Sequence, residues 1–167
     1  MKAKDLKQVK QSLKSTPFIL HEVQLMYHKR EIPSMTKIKC SYDAYQISLS
    51  CYDEKTIGIK ESFFLLCLDR SNNVRCIAKI SEGGISGTVT DIRLIYATAI
   101  LSLASGIIVV HNHPSGNIQP SESDTKITQK IKEAGNIMDI QLMDHLIING
   151  LLTETDKYYS FADSGII

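Results

Sequence analysis

The sequence predicts a single mixed-sheet α/β domain with flanking helices, and three observations carry that prediction. Apolar runs rich in aromatic or β-branched residues, among them residues 61–68 and 106–110, alternate with segments whose apolar residues recur every three or four positions. These are the patterns of buried strands and of amphipathic helices. A chain of 167 residues that is 43% hydrophobic can fill one good core and is short for two. Neither an internal repeat nor a low-complexity tract interrupts the alternation.

Along the chain, residues 1–14 carry Lys2, Lys4, Lys7, Lys10 and Lys14, with Leu6, Val9 and Leu13 at helical spacing. This segment reads as a solvated amphipathic helix or frayed tail, with a DNA-contacting arm as the other reading. The expected organisation is a basic leader or short helix over 1–20 and the domain proper over 21–167. Residues 22–27 can form a first strand and 43–49 a short helix. Residues 61–68 give a strong strand, and 74–80 follow as its hairpin partner across Arg70-Ser71-Asn72-Asn73. Gly83, Gly84 and Gly87 mark a loop that turns tightly or approaches a ligand closely. Asp91 suits an N-cap, and Ile92, Ile95, Ala99, Ile100 and Leu103 form the apolar face of a helix covering the sheet. The strand at 106–110 is followed by Pro114, which stops the ladder, and by a polar loop over 115–120. Helical character returns over 121–134, with Ile127, Ile131 and Ala134 on one face. Residues 141–148 form another strand, turned by Asn149-Gly150, a favoured hairpin dipeptide.

Composition narrows the function classes. With 19 basic and 18 acidic residues the formal charge is +1, which disfavours broad electrostatic binding to nucleic acid. No apolar stretch is long enough to span a bilayer and no signal-peptide pattern appears, so no membrane partner and a cytoplasmic location are expected. Cys40, Cys51, Cys67 and Cys76 lack Cys-x-x-Cys spacing and read as buried small hydrophobes, with Cys67 and Cys76 set to meet across the hairpin. They are expected to stay thiols in a reducing compartment.

The chemistry concentrates at the end of the 106–110 strand. In an extended chain His111 and His113 point to the same side while Asn112 faces away. A folded-back loop can bring the first turn of the next helix beside the strand end, with Asp124 opposite the two imidazoles. Two neutral nitrogens and one carboxylate oxygen leave a tetrahedral zinc ion one open position, the arrangement of hydrolytic rather than closed structural sites. Ser121-x-x-Asp124 also reads as a helix capping box, and the two readings are compatible. Asp144 and His145 point to opposite faces of their strand, so at most one looks towards the site. His145 then either orients a ligand or substrate, or is a satisfied structural histidine. His21 and His28 lie in a polar segment with no partner pattern for metal.

His111-x-His113-Pro114-x6-Ser121-x2-Asp124 resembles the JAMM motif of the MPN/JAB metalloprotease superfamily, whose members include deubiquitinating isopeptidases. His111-Asn112-His113-Pro114-Ser115-Gly116-Asn117, Gly84-Ile85-Ser86-Gly87-Thr88-Val89 and Asp144-His145-Leu146-Ile147-Ile148 are similar to its bacterial RadC-like branch. The match runs from about Glu22 to the C-terminus, and Asn112 stands where the eukaryotic enzymes have Ser or Thr.

The resemblance implies a cytidine-deaminase-like MPN/JAB fold, with Zn2+ on His111, His113 and Asp124. It also implies an upstream glutamate that exchanges the water's proton. Glu61 matches its place at the start of an Glu-x-Phe strand, with Glu22, Glu54 and Glu82 also within sequence reach. Ser121 would donate to the tetrahedral oxyanion. The function implied is zinc-dependent hydrolysis of a peptide or isopeptide bond in a peptide or protein substrate. The alternative is a DNA-repair-associated accessory that processes or binds nucleic acid. RadC-like proteins usually carry an N-terminal helix-hairpin-helix region; the expectation from length is that this chain has none, which weakens the transfer of their DNA association.

Overall fold

The computed structural model describes residues 37–84, 89–153, 155 and 157–167. The basic leader, His21, His28, the strand expected at 22–27 and residues 85–88 of the glycine loop lie outside them.

Helix α1 (Ser41–Leu49) precedes strand β1 (Ser62–Leu68), which turns into β2 (Val74–Glu82). Helix α2 (Ile92–Leu101), strand β3 (Gly106–His113), helix α3 (Glu122–Met138) and strands β4 (Gln141–Asn149) and β5 (Tyr158–Ser160) follow. The strands form one sheet in the order β2-β1-β3-β4-β5. Pairing is antiparallel except between β3 and β4, which run parallel with α3 as the crossover. This is the mixed-sheet α/β domain with flanking helices that the sequence predicts.

Alternation along the strands divides the core in two. Phe63, Leu65, Cys67, Ile107, Val109 and Leu142 pack with Ile95, Tyr96 and Ala99 of α2 and Ile131 of α3. On the other face, Leu66, Leu68, Ile108, Val110, Leu146 and Ile148 pack with Ala44 and Tyr45 of α1. Strands β1 and β3 are covered on both faces, which is why they read as unbroken apolar runs. The β1–β2 turn is held by Asp69, whose Oδ1 accepts from the main-chain N–H groups of Ser71 and Asn73 at 2.8 and 3.0 Å.

Several expectations need correction. The buried side of α2 is Ile95, Tyr96 and Ala99; Ile100 is exposed, and Leu103 lies beyond the helix at φ +52° and is exposed as well. Helix α3 runs to Met138 rather than stopping at 134. Gly135 inside it is a close-approach position, since a Cβ there would strike the Ile140 carbonyl and come within 2.8 Å of the Tyr96 hydroxyl. Among the cysteines only Cys67 is buried; Cys40 is exposed and Cys51 and Cys76 are intermediate, although Cys67 and Cys76 do face each other across β1 and β2.

Asn149-Gly150 is not a two-residue hairpin. Strand β5 begins only at Tyr158, and Gly150 instead donates its N–H to the His113 carbonyl at 2.9 Å. A Cβ at Gly150 would lie 2.6 Å from the His113 oxygen, 2.8 Å from the Ile57 oxygen and 2.8 Å from Pro114 Cα, all backbone atoms with nowhere to go. Gly150→Ala is therefore expected to destabilise the domain by about 1–3 kcal/mol, as overpacking does. An unchanged denaturation midpoint would show that the His113–Pro114 turn can yield.

Candidate metal centre

The geometry of the site follows from the register of β3 with its two neighbours. His111 and His113 share the face of Ile107 and Val109 and look towards α3, while Asn112 looks to the α1 side. Pro114 and the turn after it return the chain to Ser121, the N-cap of α3. The capping box is complete: Ser121 Oγ accepts from the Asp124 N–H at 3.1 Å, and Asp124 Oδ2 accepts from the Ser121 N–H at 2.7 Å. Asp124 Oδ2 also accepts from the Ser121 hydroxyl at 2.6 Å. The same carboxylate faces both imidazoles, so the cap and the metal-ligand readings of Asp124 hold together.

The donor atoms form a tight triangle. His111 Nε2 and His113 Nε2 are 3.0 Å apart, Asp124 Oδ1 is 3.2 Å from the first and Asp124 Oδ2 is 3.5 Å from the second. Nitrogen and oxygen ligands at about 2.0–2.1 Å from a tetrahedral zinc ion would be separated by about 3.3 Å. The donor set fits a borderline cation such as zinc, since imidazole and carboxylate together suit transition metals rather than calcium. Among the described residues this is the cluster that could hold a metal ion. His111 is 1% exposed, but His113 and Asp124 keep 18% and 13% of their side chains accessible, so the triangle opens to solvent on one side.

Electrostatics show what the triangle attracts. Burial, the largest influence on Asp124, opposes its charged form, but the adjacent His111 and His113 imidazoles and the Ser121 hydroxyl hold its carboxyl far below the usual carboxylate range. Burial also works against the charged form of His113, yet Asp124, the Asn117 carbonyl and the nearby charge of Glu61 carry its pKa above the ordinary histidine value. A fixed carboxylate against two imidazoles is thus a place for a cation. His113 Nδ1 donates to the Asn117 carbonyl at 2.6 Å, which leaves Nε2 as the ligating nitrogen.

Glu61 approaches this group from the residue before β1. It lies two residues before Phe63, which pairs with His111, and its charge acts on His113. It is half-buried, directly ahead of β1. The competing glutamates lie elsewhere. Glu82 is engaged by Lys60 and Lys79, and the hydrogen bond from Lys60 is the main cause that holds its carboxyl down at about 2. Glu54 lines a pocket with Tyr45 and Leu49 of α1. Glu22 lies outside the described residues.

Asn112 contributes from the opposite face, a role the sequence does not announce. Its amide donates to the Ile57 and Lys60 carbonyls at 2.6 and 3.0 Å, and its oxygen accepts from the Ser62 N–H at 2.8 Å. These bonds bracket Glu61 and tie its segment to the histidine strand.

His145 is the second addition. It faces the site from β4, wholly buried, with Nε2 2.8 Å from His111 Nδ1 and Nδ1 2.6 Å from Thr128 Oγ1. Burial pushes its imidazole well below the ordinary value, against the charged form. Asp144 turns to the α1 side, where it accepts from the Ser160 hydroxyl at 2.7 Å and the Ala162 N–H at 3.0 Å.

Comparison with known proteins agrees with this geometry. Residues 38–166 match the family model described as RadC-like JAB domain. A UPF0758 protein of Flavobacterium johnsoniae is 46% identical over 136 residues, covering 81% of this chain and 56% of that protein. A UPF0758 protein of Porphyromonas gingivalis is 41% identical over 108 residues, 65% of this chain and 46% of that protein. One from Clostridium perfringens is 33% identical over 146 residues, 87% of this chain and 64% of that protein. The chain spans about half the length of the first two relatives. The matched span takes in the whole sheet and the His111, His113, Asp124 triangle, and on that ground the chain belongs to the RadC-like JAB domain family.

Proposed function

We propose that this domain is a zinc-dependent hydrolase that cleaves a peptide or isopeptide bond. The observation that carries the reading is the open His111, His113, Asp124 triangle, with a half-buried carboxylate, Glu61, whose charge acts on His113. A bound zinc ion would polarise the scissile carbonyl and lower the pKa of water from near 15.7 to about 7.

The protein's own groups then divide the remaining work. His111, His113 and Asp124 hold the ion and leave one side open to solvent. Glu61, outside the triangle, takes the proton of the attacking water and passes it to the leaving amine. Asn112 keeps that carboxylate in place through its bonds to residues 57, 60 and 62. The Ser121 hydroxyl points at Asp124 Oδ2, and rotation about its single C–O bond redirects it to a developing oxyanion. No helix among the described residues is long and apolar enough to cross a membrane.

Two measurements test this reading. Purified protein is expected to carry about one zinc ion per chain, and His113→Ala to lose it while staying folded. Elemental analysis that finds equal metal in wild type and variant would remove the ligand assignment. Glu61→Gln keeps the shape of the side chain but cannot accept a proton. It is therefore expected to retain zinc while hydrolysis falls on the order of 10²–10⁴-fold. The assay is a panel of peptide, isopeptide-linked and nucleic-acid substrates; cleavage of nucleic acid alone would overturn the substrate class, and full turnover by Glu61→Gln would overturn the role of Glu61.

A further inference from the structure

We infer that Thr128 and His145 are positioning residues: a hydrogen-bonded relay from the Asp124 main chain through Thr128 and His145 holds His111 in the tautomer that presents Nε2 to a metal ion. The inference rests on the reading of His111, His113 and Asp124 as metal ligands, and it concerns what makes one of those ligands competent.

The direction of every bond in the relay can be worked out from its far end. Thr128 Oγ1 lies 2.6 Å from the Asp124 carbonyl oxygen, one helical turn back. A carbonyl oxygen can only accept, and the hydroxyl has one proton, so that proton is committed to Asp124. Thr128 Oγ1 must therefore accept from its other neighbour, His145 Nδ1, at 2.6 Å. In the neutral ring a proton on Nδ1 leaves Nε2 with a lone pair. That lone pair lies 2.8 Å from His111 Nδ1, which must be the donor, and His111 Nε2 is left bare at the triangle.

The relay has little freedom to run the other way. Thr128 is 3% exposed and His145 is fully buried, so no water offers either of them an alternative partner. The His145 ring lies flat against Phe161, with centroids 4.8 Å apart and planes 10° apart, and is tilted against Phe63. Among the described residues, no buried side-chain nitrogen or oxygen is left without a hydrogen bond. His113 reaches the same tautomer by a shorter route, through the Asn117 carbonyl. Two bare Nε2 atoms 3.0 Å apart cannot bond each other, and a cation satisfies both. The relay also joins two ligands of one ion, since it starts on the main chain of Asp124 and ends on the ring of His111.

Replacing Thr128 by Val keeps the volume and removes the acceptor. His145 Nδ1 then has nothing to donate to, and the ring can move its proton to Nε2 and donate to His111 instead, which places a proton on His111 Nε2 where the ion must bind. The test combines histidine side-chain ¹⁵N spectra of the metal-free protein with zinc affinity from chelator competition. Wild-type His111 and His145 are expected as Nδ1–H tautomers. Thr128→Val is expected to shift His111 towards Nε2–H and to bind zinc about 10–100-fold more weakly, the usual cost of losing such a partner. Thr128→Ser, which restores the hydroxyl, is expected to recover both. A wild-type His145 found as the Nε2–H tautomer overturns the relay without need of any variant. Equal zinc affinity in wild type and Thr128→Val overturns the relay alone, whereas no zinc uptake by the wild type overturns the metal reading and the relay with it.

Discussion

Everything at this site depends on β3 being hydrogen-bonded along both edges. With β1 antiparallel on one side and β4 parallel on the other, the strand cannot slip, and its two-residue period becomes a sorting rule. His111 and His113 go to the α3 face, Asn112 to the α1 face, and a shift of one residue would exchange them. The neighbours then deliver one functional group each. Strand β1 is preceded by Glu61, whose charge acts on His113, and the β4 register brings His145 against His111. Asn112, on the wrong side to touch an ion, fastens the Glu61 segment from behind. One strand thus sets the candidate metal-binding triangle and the segment that carries Glu61.

Much of this was legible in the chain because the signals were local. The strands β1, β3 and β4 appear as apolar runs, and the ligands fall close together around a proline stop. The ambiguity between cap and ligand at Asp124 dissolves because a carboxylate has two oxygens and room for several donors. Oδ2 closes the cap, and both oxygens face the imidazoles.

What was not legible depends on distant pairing. Parity says that either Asp144 or His145 looks at the site, but which one is decided by a bulge: Ile107 pairs with Leu142 and Ile108 with Asp144, so Met143 is skipped. No local pattern announces that skip. Asn149-Gly150 misleads for a similar reason, since the glycine serves a close approach to the His113 and Ile57 carbonyls rather than a tight turn. Ile100 and Leu103 fit the periodic face of α2 on paper, yet the helix ends at Leu101 and the core takes Tyr96 instead. The sequence also leaves Glu54 and Glu82 within reach of the role proposed for Glu61, and the lysines that engage Glu82 are visible only in the fold.

The capping box at the start of α3 has a consequence for supply. Asp124 is held by bonds to Ser121 that belong to the helix, and His113 and His111 are held by Asn117 and His145. Ordering of these side chains is therefore completed when the chain folds, and an arriving ion meets donors that need little rearrangement. A centre of this kind differs from a zinc finger, where metal and fold come and go together. On the proposed reading, such a domain in a cell short of zinc would persist as a folded, silent reserve rather than being unfolded and cleared, and the proposed activity would return with the metal without new synthesis.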